Sequence, residues 1–117
     1  MSESPVIRVD HLFGPTADLD AIAWQPFRDG IEIHLLYGDL KTGPAAALLR
    51  YAAGSKLPSH THGGYEHIIV LRGAQRDANG DWPAGAMAIN QPGSSHAVTS
   101  DGGCIALAIW QAPVQFE

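Results

Sequence analysis

The sequence predicts an all-β fold, a sandwich or closed barrel of short strands. Three observations carry this. Thirteen Gly and eight Pro are spread along all 117 residues instead of gathering in a tail, so turn chemistry is available throughout. Between them lie apolar or alternating segments of strand length, at the roughly eight- to twelve-residue spacing of antiparallel strands around one core. Asn79-Gly80, flanked by residues 75–77 and 81–82, is the strongest hairpin signal in the chain, because both residues tolerate positive φ. At this length a single domain over residues 1–117 is expected, large enough to fold without staples.

In chain order, residues 1–5 are mostly small or polar and end on Pro5, and are expected to fray. Residues 6–13 carry Val6, Ile7, Val9, Leu12 and Phe13 with Arg8 and Asp10 turned outward, the pattern of a short edge strand. Residues 16–24 can form one or two helical turns capped by Thr16, so residues 1–23 read as an N-terminal arm. Residues 24–30 read as a turn: Pro26 stops a helix, and Asp29-Gly30 is a favoured corner. Residues 31–37 alternate, with Ile31, Ile33, Leu35 and Tyr37 on one face and Glu32, His34 and Leu36 on the other. After a polar turn at 38–44, residues 45–52 form a third strand whose Arg50 must point to water or into a cavity.

Residues 65–71 predict a strand closed by Gly73, and residues 85–90 and 95–99 two more. A turn at 100–103 leads into residues 104–110, apolar throughout and expected to be buried on both faces. No repeat, linker or low-complexity segment interrupts this pattern.

Composition excludes several functions. The net charge of −5 comes from twelve acids against seven scattered bases, with no basic stripe to meet phosphates, so nucleic-acid binding is not expected. The longest apolar run, 104–110, is seven residues, far below a membrane span, and there is no secretory leader pattern. A cytoplasmic protein is expected. Cys104 is the only cysteine, which rules out an internal disulfide and the Cys pairs of a zinc finger.

The chemistry gathers in residues 54–73. His60 and His62 are two residues apart, so on an extended chain both imidazoles leave one face. Glu66 follows the Gly63-Gly64 pair, which can reverse the chain and set a carboxylate opposite the two rings. His96, inside Gln91-Pro-Gly-Ser-Ser-His96, is a fourth candidate. These residues could instead form a polar rim. Four converging buried polar groups, however, are most simply satisfied by a cation. Three neutral imidazoles and a carboxylate suit Fe, Mn, Ni, Cu or Zn; a six-coordinate ion keeps about two positions open, whereas zinc settles for four ligands.

His67 neighbours Glu66, so alternation sends it to the opposite face. His34 and His11 read as solvated or interface residues, Cys104 as core filler, and Trp24, Trp82 and Trp110 as core or cap. Arg50 and Tyr65 are candidate cavity residues, with a surface role as the alternative.

Gly54, five residues, His60, one, His62, three, Glu66, six, Gly73 resembles the first cupin motif with every fixed position filled. The second motif matches at Gly85, Gly93 and His96, but Gln91 stands where the family usually has Pro, and Ser100 where it usually has Asn. The resemblance covers about residues 24–110. Within the family the chain is similar to the cupin domain of ChrR-type anti-sigma factors, through Trp24-Gln-Pro, Leu49-Arg50-Tyr51 before Gly54, Pro92-Gly-Ser-Ser-His96 and Gly103-Cys104. The helical sigma-binding part, with its own His and paired Cys, has no counterpart near His11, so a stand-alone cupin is expected.

The resemblance implies a double-stranded β-helix, the RmlC-like jelly roll, with one divalent metal ion (Fe, Mn, Ni or Zn) in the barrel mouth and commonly a homodimer. Two functions follow. One is a metal-dependent oxygenase-type or related enzyme acting on a small oxygen-chelating organic substrate. The other is a non-enzymatic metal-dependent sensing module.

Overall fold

In a computed structural model, which describes residues 5–14 and 17–117, the Gly- and Pro-bounded segments form ten strands. The described elements are α1 (Ala17–Ala21), β1 (Gln25–Arg28), β2 (Ile31–Gly38), β3 (Ala45–Tyr51), β4 (Ser55–His62), β5 (Glu66–Asp77), β6 (Gly80–Pro83), β7 (Met87–Asn90), β8 (Ser95–Ser100), β9 (Cys104–Trp110) and β10 (Val114–Phe116). Pairing runs β1-β2-β3-β9-β5-β8-β4-β10, with β6 and β7 attached to β5. Every pair is antiparallel. This is the all-β, curled sheet of a jelly roll.

The curl depends on β5. Its first part lies between β9 and β7, its second part against β6 and, at Arg76 opposite Thr99, β8. The strand bends at a bulge between Val70 and Arg72 and again at Gly73. There φ is +70°, and a Cβ would stand 2.1 Å from the Gly103 carbonyl oxygen, so only glycine fits the corner. The sequence pattern ends this strand at Gly73; in the fold Gly73 is instead the bend through which one strand passes to the second half of the barrel.

Two apolar layers form. Inside the curl, Ile33, Leu49, Tyr51, Val70, Val98 and Trp110 belong to one buried cluster. On the outer face, Leu48, Leu71 and Ile105 are covered by Leu19 of α1, with Val9, Leu12, Ile22 and Trp24 packed around them. That cover explains why β3 and β9 are apolar at nearly every position: both their faces are buried.

The arm departs from the edge strand predicted for residues 6–13. It has no strand there and lies as irregular chain over the outer layer, because the sheet edge is already taken by β1. That strand was read as a turn; only Asp29-Gly30 turns, and Pro26 is tolerated because β1 is an edge strand with a bulge beside it. α1 is a helix of five residues, and its expected cap, Thr16, lies outside the described residues.

In β2 the alternation holds for Ile31 and Ile33 and then breaks. A shift between Leu35 and Tyr37 sets Tyr37 opposite Ala46 on the outer face, and both Leu35 and Tyr37 are about half exposed; Leu36 keeps the parity of Glu32 and His34 and packs into the outer layer. β10 follows Pro113 and was not expected. Among the described residues, no helix is long and apolar enough to cross a membrane.

Candidate metal centre

β4 sets the site through one irregularity. Leu57 faces the core opposite Val98, and simple alternation would then turn residues 59 and 61 inward. A bulge between Leu57 and His60 inserts one extra residue and reverses the parity. His60 and His62 therefore face the interior, with His60 directly opposite His96 of β8. The chain then turns through Gly63-Gly64 to Glu66. The pair is needed there for close approach: a Cβ on Gly63 would lie 2.6 Å from the Pro113 carbonyl oxygen, and one on Gly64 2.9 Å from Gln111 Oε1.

His60, His62, Glu66 and His96 come together, all buried, with one ligand atom from each lying within 4.8 Å of the others. The three imidazoles meet edge to face, with centroids 4.7–5.1 Å apart. Each has its Nδ1 engaged away from the cluster: His60 with the Pro58 carbonyl at 2.9 Å, His62 with the Ser94 carbonyl and hydroxyl at 2.9 Å, and His96 with Asp77 Oδ2 at 2.8 Å. With Nδ1 as the protonated nitrogen, each Nε2 presents a lone pair inward, the tautomer a metal needs.

Glu66 is held by its cross-strand neighbours. Asn90 donates to Oε1 at 2.9 Å, and the Trp110 indole donates to Oε2; both residues sit opposite Glu66 in register. His62 Nε2 lies 3.1 Å from Glu66 Oε1, yet it is buried without a hydrogen-bond partner. A buried nitrogen left so, facing a carboxylate and two further imidazoles, fits a cation.

The electrostatics agree at Glu66 and His60 and run the other way at His62, whose ring faces the carboxylate. Burial works against the Glu66 charge, but His62, Trp110 and His60 outweigh it and hold the carboxyl below its ordinary range. Burial lowers the His60 pKa, which favours the neutral ligand form. Burial also pulls on His62, but there the Glu66 carboxylate prevails and raises it. Asp77 is disfavoured as a charge by burial, yet hydrogen bonds from Trp82, His96 and the Asn79 amide keep it below the usual carboxylate range. The cavity beside the cluster is about 20 Å³, lined by Tyr51, Gln75 and Phe116 besides His60, Glu66 and His96, and has room for about one water.

Other candidates go elsewhere. Arg50 pairs with Glu32 at 2.8 Å and lies over the Trp24 ring at 4.6 Å, on the opposite face of β3 from the interior residues Leu49 and Tyr51. It is not brought to the cluster, because burial of its charge is relieved by a carboxylate outside the barrel. Tyr65 is 46% exposed, its backbone exchanging hydrogen bonds with Gln111. His67 is partly buried. His34 bonds to the Ala23 carbonyl at 2.8 Å, and Cys104 is buried.

Asp77, Asn90, Ser94 and Trp110 also hold the cluster, and nothing in the sequence marks them for it. Their types carry no signal alone; only Trp110 and Asn90 at β-strand positions, paired with Glu66 by register, give them a role. Of the two places expected for Trp110, core or cap, the fold gives it the core, with its one side-chain polar atom spent on Glu66.

Comparison with known proteins agrees with the geometry. The family model of the ChrR cupin-like domain matches residues 15–113. The anti-sigma-E factor ChrR of Cereibacter sphaeroides is 32% identical over 103 residues, covering 85% of this chain and 46% of that protein, so the chain spans about half the length of that relative. Among solved structures, Rhodobacter sphaeroides SigE in complex with the anti-sigma ChrR superposes at a TM-score of 0.73 with 28% identity, covering 86% of this chain and 59% of that one. An acetylacetone dioxygenase from Acinetobacter johnsonii superposes at 0.73 with 19% identity, covering 99% and 84%; that likeness speaks to the fold.

Proposed function

This chain belongs to the ChrR cupin-like domain family, and from that premise we propose that it holds one divalent metal ion through His60, His62, His96 and Glu66 and uses it to bind a small oxygen-chelating organic molecule. The first reading of the outcome is turnover, as a metal-dependent oxygenase-type enzyme. The observation that carries the metal reading is the inward turn of three Nε2 atoms whose Nδ1 atoms are all spoken for by outer partners.

The chain's own residues supply the frame. His60, His62 and His96 offer neutral nitrogens held in orientation by Pro58, Ser94 and Asp77. Glu66 offers a carboxylate that balances charge and is fixed by Asn90 and Trp110. Leu57, Val98 and Phe116 give the cavity an apolar wall, and the less water such a wall admits, the stronger the electrostatic interactions inside it. A bound divalent ion supplies Lewis acidity there and, if redox-active, dioxygen chemistry.

A second reading, a non-catalytic sensing module, is supported by two observations. The cavity is small and lined mostly by buried residues, and the relative ChrR is an anti-sigma factor, solved in complex with SigE. In that reading the occupant of the metal site changes the barrel's fit to a protein partner.

Elemental analysis of untagged protein beside His62→Ala and His67→Ala tests the proposal. Near-stoichiometric metal is expected in the parent and in His67→Ala, and most of it is lost in His62→Ala. Equal retention in both variants would sink the site. Iron, manganese or nickel, with oxygen uptake on β-diketones or small keto acids, supports turnover; zinc without uptake supports the sensing module.

A further inference from the structure

A second cavity, about 80 Å³, adjoins the metal cavity. The two share Phe27, Trp110, Val114 and Phe116 as common walls. Beyond these the outer cavity is bounded by Leu40, Ala45 and Pro113 and by one ionisable residue, Asp39. Asp39 is exposed, and its Oδ1 accepts from the Lys41 amide at 2.7 Å. The indole N–H of Trp110 is committed to Glu66. The side chains of this cavity therefore present no uncommitted donor, and its one charge repels an anion.

Phe116 is the partition. Its ring lies 5.3 Å from the His60 ring, with the Arg28 guanidinium 3.7 Å over its face. It belongs to β10, a three-residue strand at the end of the sheet, where it pairs with His60 in register. The inner cavity admits about one water, so any larger group attached to a metal-bound oxygen must extend past Phe116 into the apolar space outside.

We infer that the outer cavity is the tail compartment of a single ligand site: the molecule that chelates at the four-residue cluster carries a short aliphatic chain, which lies between Phe116 and Leu40. This rests on the metal reading above and adds the substrate class, a small oxygen chelator with an uncharged alkyl tail. At about 80 Å³ the compartment is roughly half the ~150 Å³ cavity that accepts benzene, which sets the tail at about three carbons.

The test uses the cobalt(II)-loaded full chain, titrated with straight-chain hydroxamates from acetyl to hexanoyl and followed through the visible cobalt spectrum. Affinity is expected to rise about fourfold per methylene and to level off after about three carbons. Leu40→Phe, which fills the compartment, should abolish the gain while acetohydroxamate binds within about twofold of the parent. Leu40→Ala, which enlarges it, should move the plateau to longer chains, and carries the test alone if Leu40→Phe does not fold. Cobalt uptake with a flat series, or the same series in parent and Leu40→Ala, overturns the tail compartment and leaves the metal site standing. Failure of the parent to take up cobalt overturns both.

Discussion

Asp77 shows how a residue outside the four-residue cluster governs its geometry. Its carboxylate is held below its ordinary pKa range despite burial and accepts from His96 Nδ1 at 2.8 Å, so it fixes both the ring orientation and the tautomer of one imidazole of the cluster. Removing such an outer partner typically costs about 10- to 100-fold in metal affinity. Asp77→Ala is expected to lose metal to a competing chelator by that factor, and Asp77→Asn, which keeps an acceptor oxygen, to recover most of it; equal affinity in all three proteins would deny Asp77 this role. The cluster was legible in the sequence because spacing and residue type suffice to bring His60, His62, Glu66 and His96 together. Asp77 was not, since an Asp two residues before Asn79-Gly80 reads as turn chemistry, and only the pairing of the end of β5 with β8, at Arg76 opposite Thr99, brings it to His96. Cys104 offers a second test at this scale. Burial pushes its thiol up to about 11 from 9.0, so the folded state keeps the proton that the unfolded chain releases. The stabilisation is complete below about pH 9 and is lost as pH rises through about 11, roughly 2–3 kcal/mol in all. Native protein should resist a thiol reagent at pH 8 and react on unfolding, and Cys104→Ala should lack this part of the alkaline stability slope.

At the scale of elements, irregularities decide where side chains go. The extra residue in β4 turns His60 and His62 inward, the shift in β2 turns Tyr37 outward, and Gly73 bends β5 between the two halves of the barrel. Regular periodicity therefore located the strands well and their faces less well. Alternation is legible in Ile31 and Ile33, but a bulge leaves no mark in the alternation of β2 that separates it from a continuous strand. The arm and β10 were harder still, because both owe their place to tertiary contacts: Val9 and Leu12 to the outer layer, β10 to pairing with His60 and His62. Gly73 is the most exposed to substitution of these devices. Gly73→Ala meets both a positive φ and a carbonyl oxygen at 2.1 Å, and a strained backbone alone costs about 1–3 kcal/mol. Denaturant unfolding should show a loss of at least about 2 kcal/mol for Gly73→Ala, against a change within about 0.5 kcal/mol for Gly102→Ala, where a Cβ has open space. Equal stability of the two variants would mean that β5 does not need this bend.

At the scale of the whole molecule, the outer face of the sheet is only partly covered. The arm and α1 shield Leu48, Leu71 and Ile105 but not the adjoining row. Register places Tyr37 beside Ala46, Ala46 beside Ile109, Ile109 beside His67 and His67 beside Ile89, and Tyr37, Met87 and Ile89 are each about half exposed. A largely apolar strip running across five strands to an exposed edge is more than scattered surface hydrophobicity, and patches of this kind are characteristic of interaction faces. The homodimer proposed from the family resemblance would use this strip, with the same row on both copies as two-fold symmetry requires. A charge placed at its edge should separate the copies without disturbing the interior, because Ile89 lies outside the ligand cluster. Light scattering after gel filtration is expected to give a dimer for the parent and a monomer for Ile89→Asp, with metal content unchanged between them. A monomeric parent would remove the dimer from the account. A dimeric Ile89→Asp would move the interface to another face, since two carboxylates brought together at an apolar contact carry both a desolvation and a repulsion cost.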